Sequence, residues 1–313
     1  MSKRKKSIQI SLLVNTRSPY AVLEEVKCNF IHKYPFEEFI RIRDIFESFM
    51  DLFDGRFPGY KHCTTPYHDI LHATDTVLAF SRLVDGYNIK KKALPIEKVK
   101  AGIIASLFHD SGYIQDEDDG NGTGAKFTKN HIQRSIIIAK KIVEKFNLDK
   151  KMFDTVKSMI MCTDLKTHPE EINFRNSGEE KILGMMVGTA DIIGQMASRI
   201  YLEKLLYLFQ EFKEAEINTY KSEDELVENT ADFFKNTIID KLKNDFENIY
   251  KYSRIHFKRR YNINSGLYMD AIKRQINYLE KILEESPNNY RDRLRRKIPI
   301  IQGKSEQRER LEE

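Results

Sequence analysis

Five of the eight histidines lie between positions 62 and 131, and three of them stand beside carboxylates. His68 and His72, in the segment Tyr67-His68-Asp69-Ile70-Leu71-His72-Ala73-Thr74-Asp75, are one turn apart and share a face if that segment is helical. The apolar run Ala101–Phe108 ends in His109-Asp110-Ser111-Gly112. Adjacent side chains cannot share a face in mid-helix, but at a helix end opening into a glycine turn both can converge on an ion. Asn130-His131 opens a strongly amphipathic stretch, and Asp191 is embedded among Met185, Met186, Ile192 and Ile193. A carboxylate buried in such a run without compensation costs several kcal/mol. A divalent cation held by imidazoles removes that cost, and a mixed His/carboxylate set suits it. Taken singly, each histidine is better explained as an ordinary core or surface residue, and Asp191 as a helix cap.

The elements that must position them read as helices. Ile132, Ile136, Ala139, Val143 and Phe146 recur at steps of four and three, as do Ile272, Ile276, Leu279 and Leu283, which places each set on one helical face. Further helices are expected over Phe36–Phe53, Ile96–Phe108, Phe153–Cys162, Ile182–Ile193, Ala197–Phe212 and Glu225–Ile249. Period-two patterning is scarce, and only Ile8–Val14 hints at a strand. Helices with one apolar stripe must pack on one another, so the expected class is an all-α, compact multi-helix bundle. Expected divisions are a poorly patterned leader over 1–30, a helical domain over 31–285, and a basic tail over 286–313 carrying Arg291, Arg293, Arg295, Arg296 and Lys297.

Composition narrows the function classes. With 52 Lys plus Arg against 47 Asp plus Glu in 313 residues, the net charge is only +5 and is concentrated at the two ends, so a nucleic-acid partner is not expected. Hydrophobic residues make up 41%, with 19 Phe and 15 Tyr, which excludes a disordered polyelectrolyte. Three cysteines without a CxxC pair argue against a disulfide scaffold or a cysteine-bound zinc module. No stretch approaches the roughly 20 apolar residues needed to span a bilayer. Neither membrane insertion nor a cleaved signal is expected, and the expected location is cytoplasmic.

The order His72, His109-Asp110, Asp191 resembles the H…HD…D pattern of HD-superfamily metal-dependent phosphohydrolases. Within it, YHDILHATD is similar to the YHNxxHAxDV signature of class I 3',5'-cyclic-nucleotide phosphodiesterases. Met161-Cys162-Thr163-Asp164-Leu165-Lys166-Thr167-His168 is similar to their LATDMSKH segment, and Thr189-Ala190-Asp191 to their CAD. The chain is also similar to bacterial HD proteins with a GTGAK loop and an ADxxGQMA helix, here Gly122–Lys126 and Ala190–Ala197. The likeness covers roughly 35–255. It implies that His72, His109, Asp110 and Asp191 ligate one of two divalent ions (Zn, Mn, Mg or Fe), with Asp110 bridging to the second. It implies that His68 protonates the departing oxygen of a small phosphoester or nucleotide. The chain departs from the pattern at Tyr113, where those enzymes carry a second histidine, and at Asp69, where asparagine is usual. His131 is an alternative ligand to the second ion. A nucleotide phosphomonoester hydrolase and a non-catalytic scaffold binding nucleotide or nucleic acid are the competing readings.

The loop Asp116–Lys126 is neither an EF-hand, since position twelve is Thr128 rather than glutamate, nor a P-loop, since Lys126 does not directly follow Gly124 and no strand precedes it. Its free backbone N–H groups and Lys126 are nonetheless candidates to hold a substrate phosphate. His62, Cys63 and His168 are expected to be structural, and the Leu205–Phe212 face to be core.

Overall fold

The computed structural model describes residues 8–175, 177–286, 289–294 and 296. Among them eleven α-helices follow in order: α1 (Pro19–Ile31), α2 (Glu37–Phe53), α3 (Ile70–Lys90), α4 (Ile96–Phe108), α5 (His131–Lys145), α6 (Lys150–Met161), α7 (Gly178–Met196), α8 (Tyr201–Glu214), α9 (Glu223–Phe233), α10 (Tyr252–Tyr261) and α11 (Leu267–Glu285). The described residues contain no strand beyond a single antiparallel bridge, Tyr60 to Asp116. The fold is all-α, and among the described residues no helix is long and apolar enough to cross a membrane.

Polar side chains at the helix starts supply acceptors that the first turn lacks. Ser18, with Pro19 behind it, caps α1 through the N–H of Ala21. Asp69 caps α3 through the N–H of His72, Asp149 caps α6 through Met152, Ser177 caps α7 through Glu180, and Ser222 caps α9 through Glu225. Helix α4 begins directly after Pro95, whose fixed φ suits a helix entry.

Helix α3 is the spine. It packs against α7 most extensively and also against α1, α4 and α10, and 17 of its 21 residues are buried. The α3–α7 contact is close because Gly194 has no side chain: a Cβ there would come within 3.1 Å of the Asp75 backbone. The outer helices α5, α6 and α11 each bury one stripe and leave a charged face to solvent, as their spacing predicts.

Three expectations are corrected. The segment 1–30 is not a poorly patterned leader throughout, because α1 seats Val22, Val26 and Phe30 in the same core as α3. Its buried Glu25 is satisfied by Arg260 and Tyr261, and its buried Asn29 by Ser81. The strand suggested at Ile8–Val14 is a 3₁₀ turn at Ile10–Leu12. The single helix expected over Glu225–Ile249 is α9 followed by two π-helical turns, Phe234–Ile238 and Lys241–Asp245, and a left-handed Asn248. Of the basic tail, Tyr290 is buried and donates to Asp224, and Arg291 pairs with Glu223. Arg295, Lys297 and all that follows lie outside the described residues.

Basic α10 has no apolar stripe, and polar contacts to Asp85 join the single buried Phe257 in holding it to the core. Asp85 of α3, fully buried, accepts from His256 at 2.7 Å, from His32 at 2.7 Å and from Arg259 at 3.0 Å. Its carboxyl is resisted by burial, yet His256 and Arg259 hold its pKa below the usual value. His256 itself is pushed down to about 4 by burial, with Arg82 adding to the effect. It is therefore a neutral imidazole donating Nδ1–H to Asp85.

Candidate metal centre

The end of α4, the middle of α7 and the first turn of α3 bring four side chains to one point. His72 Nε2 lies 3.1 Å from Asp110 Oδ2 and 3.1 Å from Asp191 Oδ1. His109 Nε2 lies 3.2 Å from Asp110 Oδ2, 3.5 Å from Asp191 Oδ1 and 3.1 Å from His72 Nε2. Donors bound about 2.0–2.2 Å from a divalent ion are about 2.8–3.1 Å from their neighbours in octahedral geometry and about 3.3–3.6 Å in tetrahedral geometry. The observed spacings are of that size. All four residues are largely buried, Asp191 being the most open with its side chain 19% exposed.

Local structure aims these atoms. His109 is the last residue of the α4 path, and its Nδ1 donates to the Ser106 carbonyl at 3.0 Å, which leaves Nε2 bare toward the cluster. The chain then turns through Asp110 into a 3₁₀ turn at Ser111–Tyr113. Gly112 allows this turn to rest on α5, since a Cβ there would overlap the His131 carbonyl. Ser135 accepts the Gly112 N–H at 2.8 Å and Arg134 donates to the Gly112 carbonyl. Asp110 Oδ2 is buried and has no hydrogen-bond donor of its own.

The protonation balance shows the same tension. Burial disfavours the imidazolium of His109, but Asp110 and Asp191 outweigh it and hold the pKa well above the usual histidine value. His72 is raised for the same reasons. Burial opposes the charge on Asp191, but His109 and His72 hold its pKa down to about 2. Two acids and two bases are thus packed so that a positive charge must sit among them, as protons or as a cation. The donor set, two imidazoles and two carboxylates, fits a first-row divalent ion.

His131 takes a flanking place. Its Nδ1 is held by the Thr128 carbonyl at 2.7 Å and its Nε2 lies 3.8 Å from Asp110 Oδ1. Asp110 therefore turns one oxygen to His72 and His109 and the other to His131. His68 is not on α3, as helical spacing suggested, because α3 is capped at Asp69 and His68 precedes the cap. Its Nδ1 lies 2.6 Å from Glu211 Oε2, and the other Glu211 oxygen takes the Tyr67 N–H at 2.7 Å. Tyr113, standing where the resemblance expects a histidine, fills the space between two imidazoles. It stacks on His68 at 4.3 Å and on His131 at 4.7 Å, with interplanar angles of 9° and 22°.

Glu211 was hidden in the sequence, since it lies 143 residues from His68 on an α8 face that reads as core. The only signal is an acid among Leu205, Leu208 and Phe212. Lys204, about two helical turns before it, pairs at 2.9 Å with Asp69. Lys126 does not join the site: its ammonium bonds back to the carbonyls of Gly120 and Asn121 in its own loop. His62 is exposed, Cys63 is bound to Thr65 and His68 backbone, and His168 pairs with Asp245 on the surface.

Residues 59–254 match the model of the Npun_R2479-like family, a span that contains the four donors together with His68, Tyr113, His131 and Glu211. No curated protein matches the chain. With well over half of its length matched, the chain belongs to the Npun_R2479-like family.

Proposed function

We propose that the protein is a metal-dependent phosphohydrolase of HD type, acting on a small phosphodiester such as a 3',5'-cyclic nucleotide. One observation carries this reading: two imidazole nitrogens 3.1 Å apart, each 3.1–3.5 Å from an oxygen of both Asp110 and Asp191, converge beside a histidine anchored by its own carboxylate. A scaffold has no use for the second feature. A divalent cation supplies charge neutralisation of the phosphoryl oxygens and a water of lowered pKa. His72, His109, Asp110 and Asp191 hold it, and Asp110 and His131 offer donors to a second.

The protein's own part in the chemistry is proton delivery. Glu211 takes the Nδ1–H of His68, so Nε2 is the ring atom left to carry a proton to the departing oxygen. Tyr113 at its face and Glu211 at its edge restrict the ring to one plane, which is what a general acid needs to be effective. The stack also fills space that water would otherwise occupy around the imidazole.

The test is hydrolysis by the purified full chain with manganese across cyclic mononucleotides, nucleoside monophosphates and an aryl phosphodiester. Asp110→Ala is expected to abolish both metal binding and turnover. His68→Ala is expected to keep the metal and lose about 10²–10⁴-fold on a nucleotide, with a smaller loss on the aryl ester, whose leaving group needs little protonation. Wild-type rates in both variants would overturn the proposal. Faster turnover of monophosphates than of cyclic nucleotides would shift the substrate to the phosphomonoester class.

A further inference from the structure

The end of the bundle remote from the metal centre gathers apolar and cationic side chains on one surface. Helices α1 and α3 run parallel, with Asn29 bonded to Ser81 and His32 to Asp85, so Ile31 and Ile89 close them at the same end. The turn after α1 is tied there as well. The Tyr34 hydroxyl donates to the Leu94 carbonyl at 2.8 Å and accepts from Asn88 at 2.9 Å, and the Phe30 ring packs on Phe39 of α2. Helix α10 runs antiparallel to α3, with Tyr252 against Tyr87 and Arg260 further back on Glu25. Its first turn therefore comes to the end of α3 that carries Lys90.

Two kinds of side chain are open to solvent here. Ile31, Phe36, Ile40 and Ile89 are 37–52% exposed, and they are four of the nine large hydrophobic residues this open among the described residues. Phe36 and Ile40 are one turn apart and share a face of α2. Such residues scattered singly need no explanation, but four at one end of a bundle mark a contact surface. Around them Lys33, Lys90, Lys91, Lys92, Lys251 and Lys258 are exposed. Lys251 lies over the Tyr250 ring and Lys258 rests on the Asn262 amide oxygen. Among the described residues none of these six ammonium groups pairs with a carboxylate. The acids on these elements left without a cationic partner are Glu37 and Glu247. The chain's net charge of only +5 thus conceals a face that is strongly positive.

The pairing of the two kinds selects the partner. Lysines alone would suit any polyanion, but a nucleic-acid duplex offers no apolar layer to receive Phe36 and Ile40. A lipid surface offers both, since phosphates and anionic headgroups lie directly above hydrocarbon. We infer that this end of the bundle docks on an anionic lipid bilayer, with Ile31, Phe36, Ile40 and Ile89 entering the headgroup layer and the lysines on its phosphates. The docking is peripheral, as no helix among the described residues is long and apolar enough to cross a membrane. Ile89 is about 25 Å along α3 from His72, so the metal centre stays clear of the lipid. The inference rests on this surface and not on hydrolysis at the metal centre.

The test is co-sedimentation of the full chain with vesicles of phosphatidylcholine alone and with about one-third phosphatidylserine. Binding is expected to the mixed vesicles only, and to be lost in about 1 M salt. Replacing Lys90, Lys91 and Lys92 together by Ala is expected to weaken it about 100-fold, roughly fivefold for each charge. Phe36→Ser, at an exposed position that leaves the charge unchanged, is expected to weaken it about fivefold or more. The chain contains no tryptophan, so Phe36→Trp supplies a single reporter, whose emission is expected to shift to the blue on the mixed vesicles. No binding to the mixed vesicles, equal binding by the lysine variant, or an unshifted tryptophan would overturn the inference. So would tighter binding to a duplex RNA than to the mixed vesicles, unaffected by Phe36→Ser. None of those results bears on the hydrolytic proposal, whose failure shows instead in the Asp110 and His68 variants.

Discussion

Glu211 Oε2 lies 2.6 Å from His68 Nδ1, while the other oxygen of the same carboxylate holds the Tyr67 N–H at 2.7 Å. One acid from α8 thus fixes both the ring and the backbone that carries it. Glu211→Gln keeps the shape but leaves a single acceptor oxygen for two donors. It is expected to leave bound metal unchanged and to lower kcat by about 10–100-fold, part of what the general acid supplies. Steady-state rates with metal content measured on the same samples check this; loss of metal would show that Glu211 acts on the cluster instead.

Tyr113 is 1% exposed and sandwiched between His68 and His131. Tyr113→Phe retains both stacked faces and is expected to stay within about 1 kcal/mol of wild type. Tyr113→Ala removes them and opens a hole, at a cost of about 3–5 kcal/mol. Denaturant unfolding of the two variants separates a packing role from any need for the hydroxyl.

Gly112 lies against the His131 backbone, where a Cβ has no room. Gly112→Ala is expected to destabilise by about 2–3 kcal/mol through overpacking and to weaken metal binding by displacing Asp110. Thermal unfolding with and without metal tests it: a variant equal to wild type in both conditions would show that α5 yields freely here.

The parts of this fold that follow a single physical rule were readable from residues alone. Helix α4 begins and ends where its apolar run does, because Pro95 starts it and the turn at Gly112 follows it. Helices α5 and α11 show their stripes directly. Helix α1 was missed because its buried face includes Glu25 and Asn29, whose partners Arg260, Tyr261 and Ser81 are distant in sequence. Helix α10 was missed because ion pairs to Asp85 replace an apolar stripe. The donor order His72, His109, Asp110, Asp191 was readable, and the geometry brings these residues together. Glu211 and the Tyr113 stack were not, since a lone acid on a helix face and a tyrosine after a glycine have no local signature.

Buried His256 and Asp85 set the acid limit of stability. His256 falls to about 4 when folded, from 6.5, so between those values the unfolded chain binds more protons and stability drops as the pH falls. Asp85, also lowered, loses its contribution below its unfolded pKa of 3.8, in the same direction. The histidine alone accounts for up to about 3 kcal/mol lost between pH 6.5 and 4. Melting curves across that range check the sign, and His256→Gln is expected to flatten the slope. A Tm that rises on acidification would contradict the assignment.

The proposed chemistry depends on His72, His109, Asp110 and Asp191 together holding a divalent cation. Equilibrium dialysis of the full chain against manganese, with bound metal counted per chain in wild type and in Asp110→Asn, tests it most directly. At least one equivalent is expected to bind wild type, with an affinity more than about 100-fold weaker in the variant, since it loses a ligand charge outright. No saturable binding to wild type, or equal binding by both proteins, would contradict it.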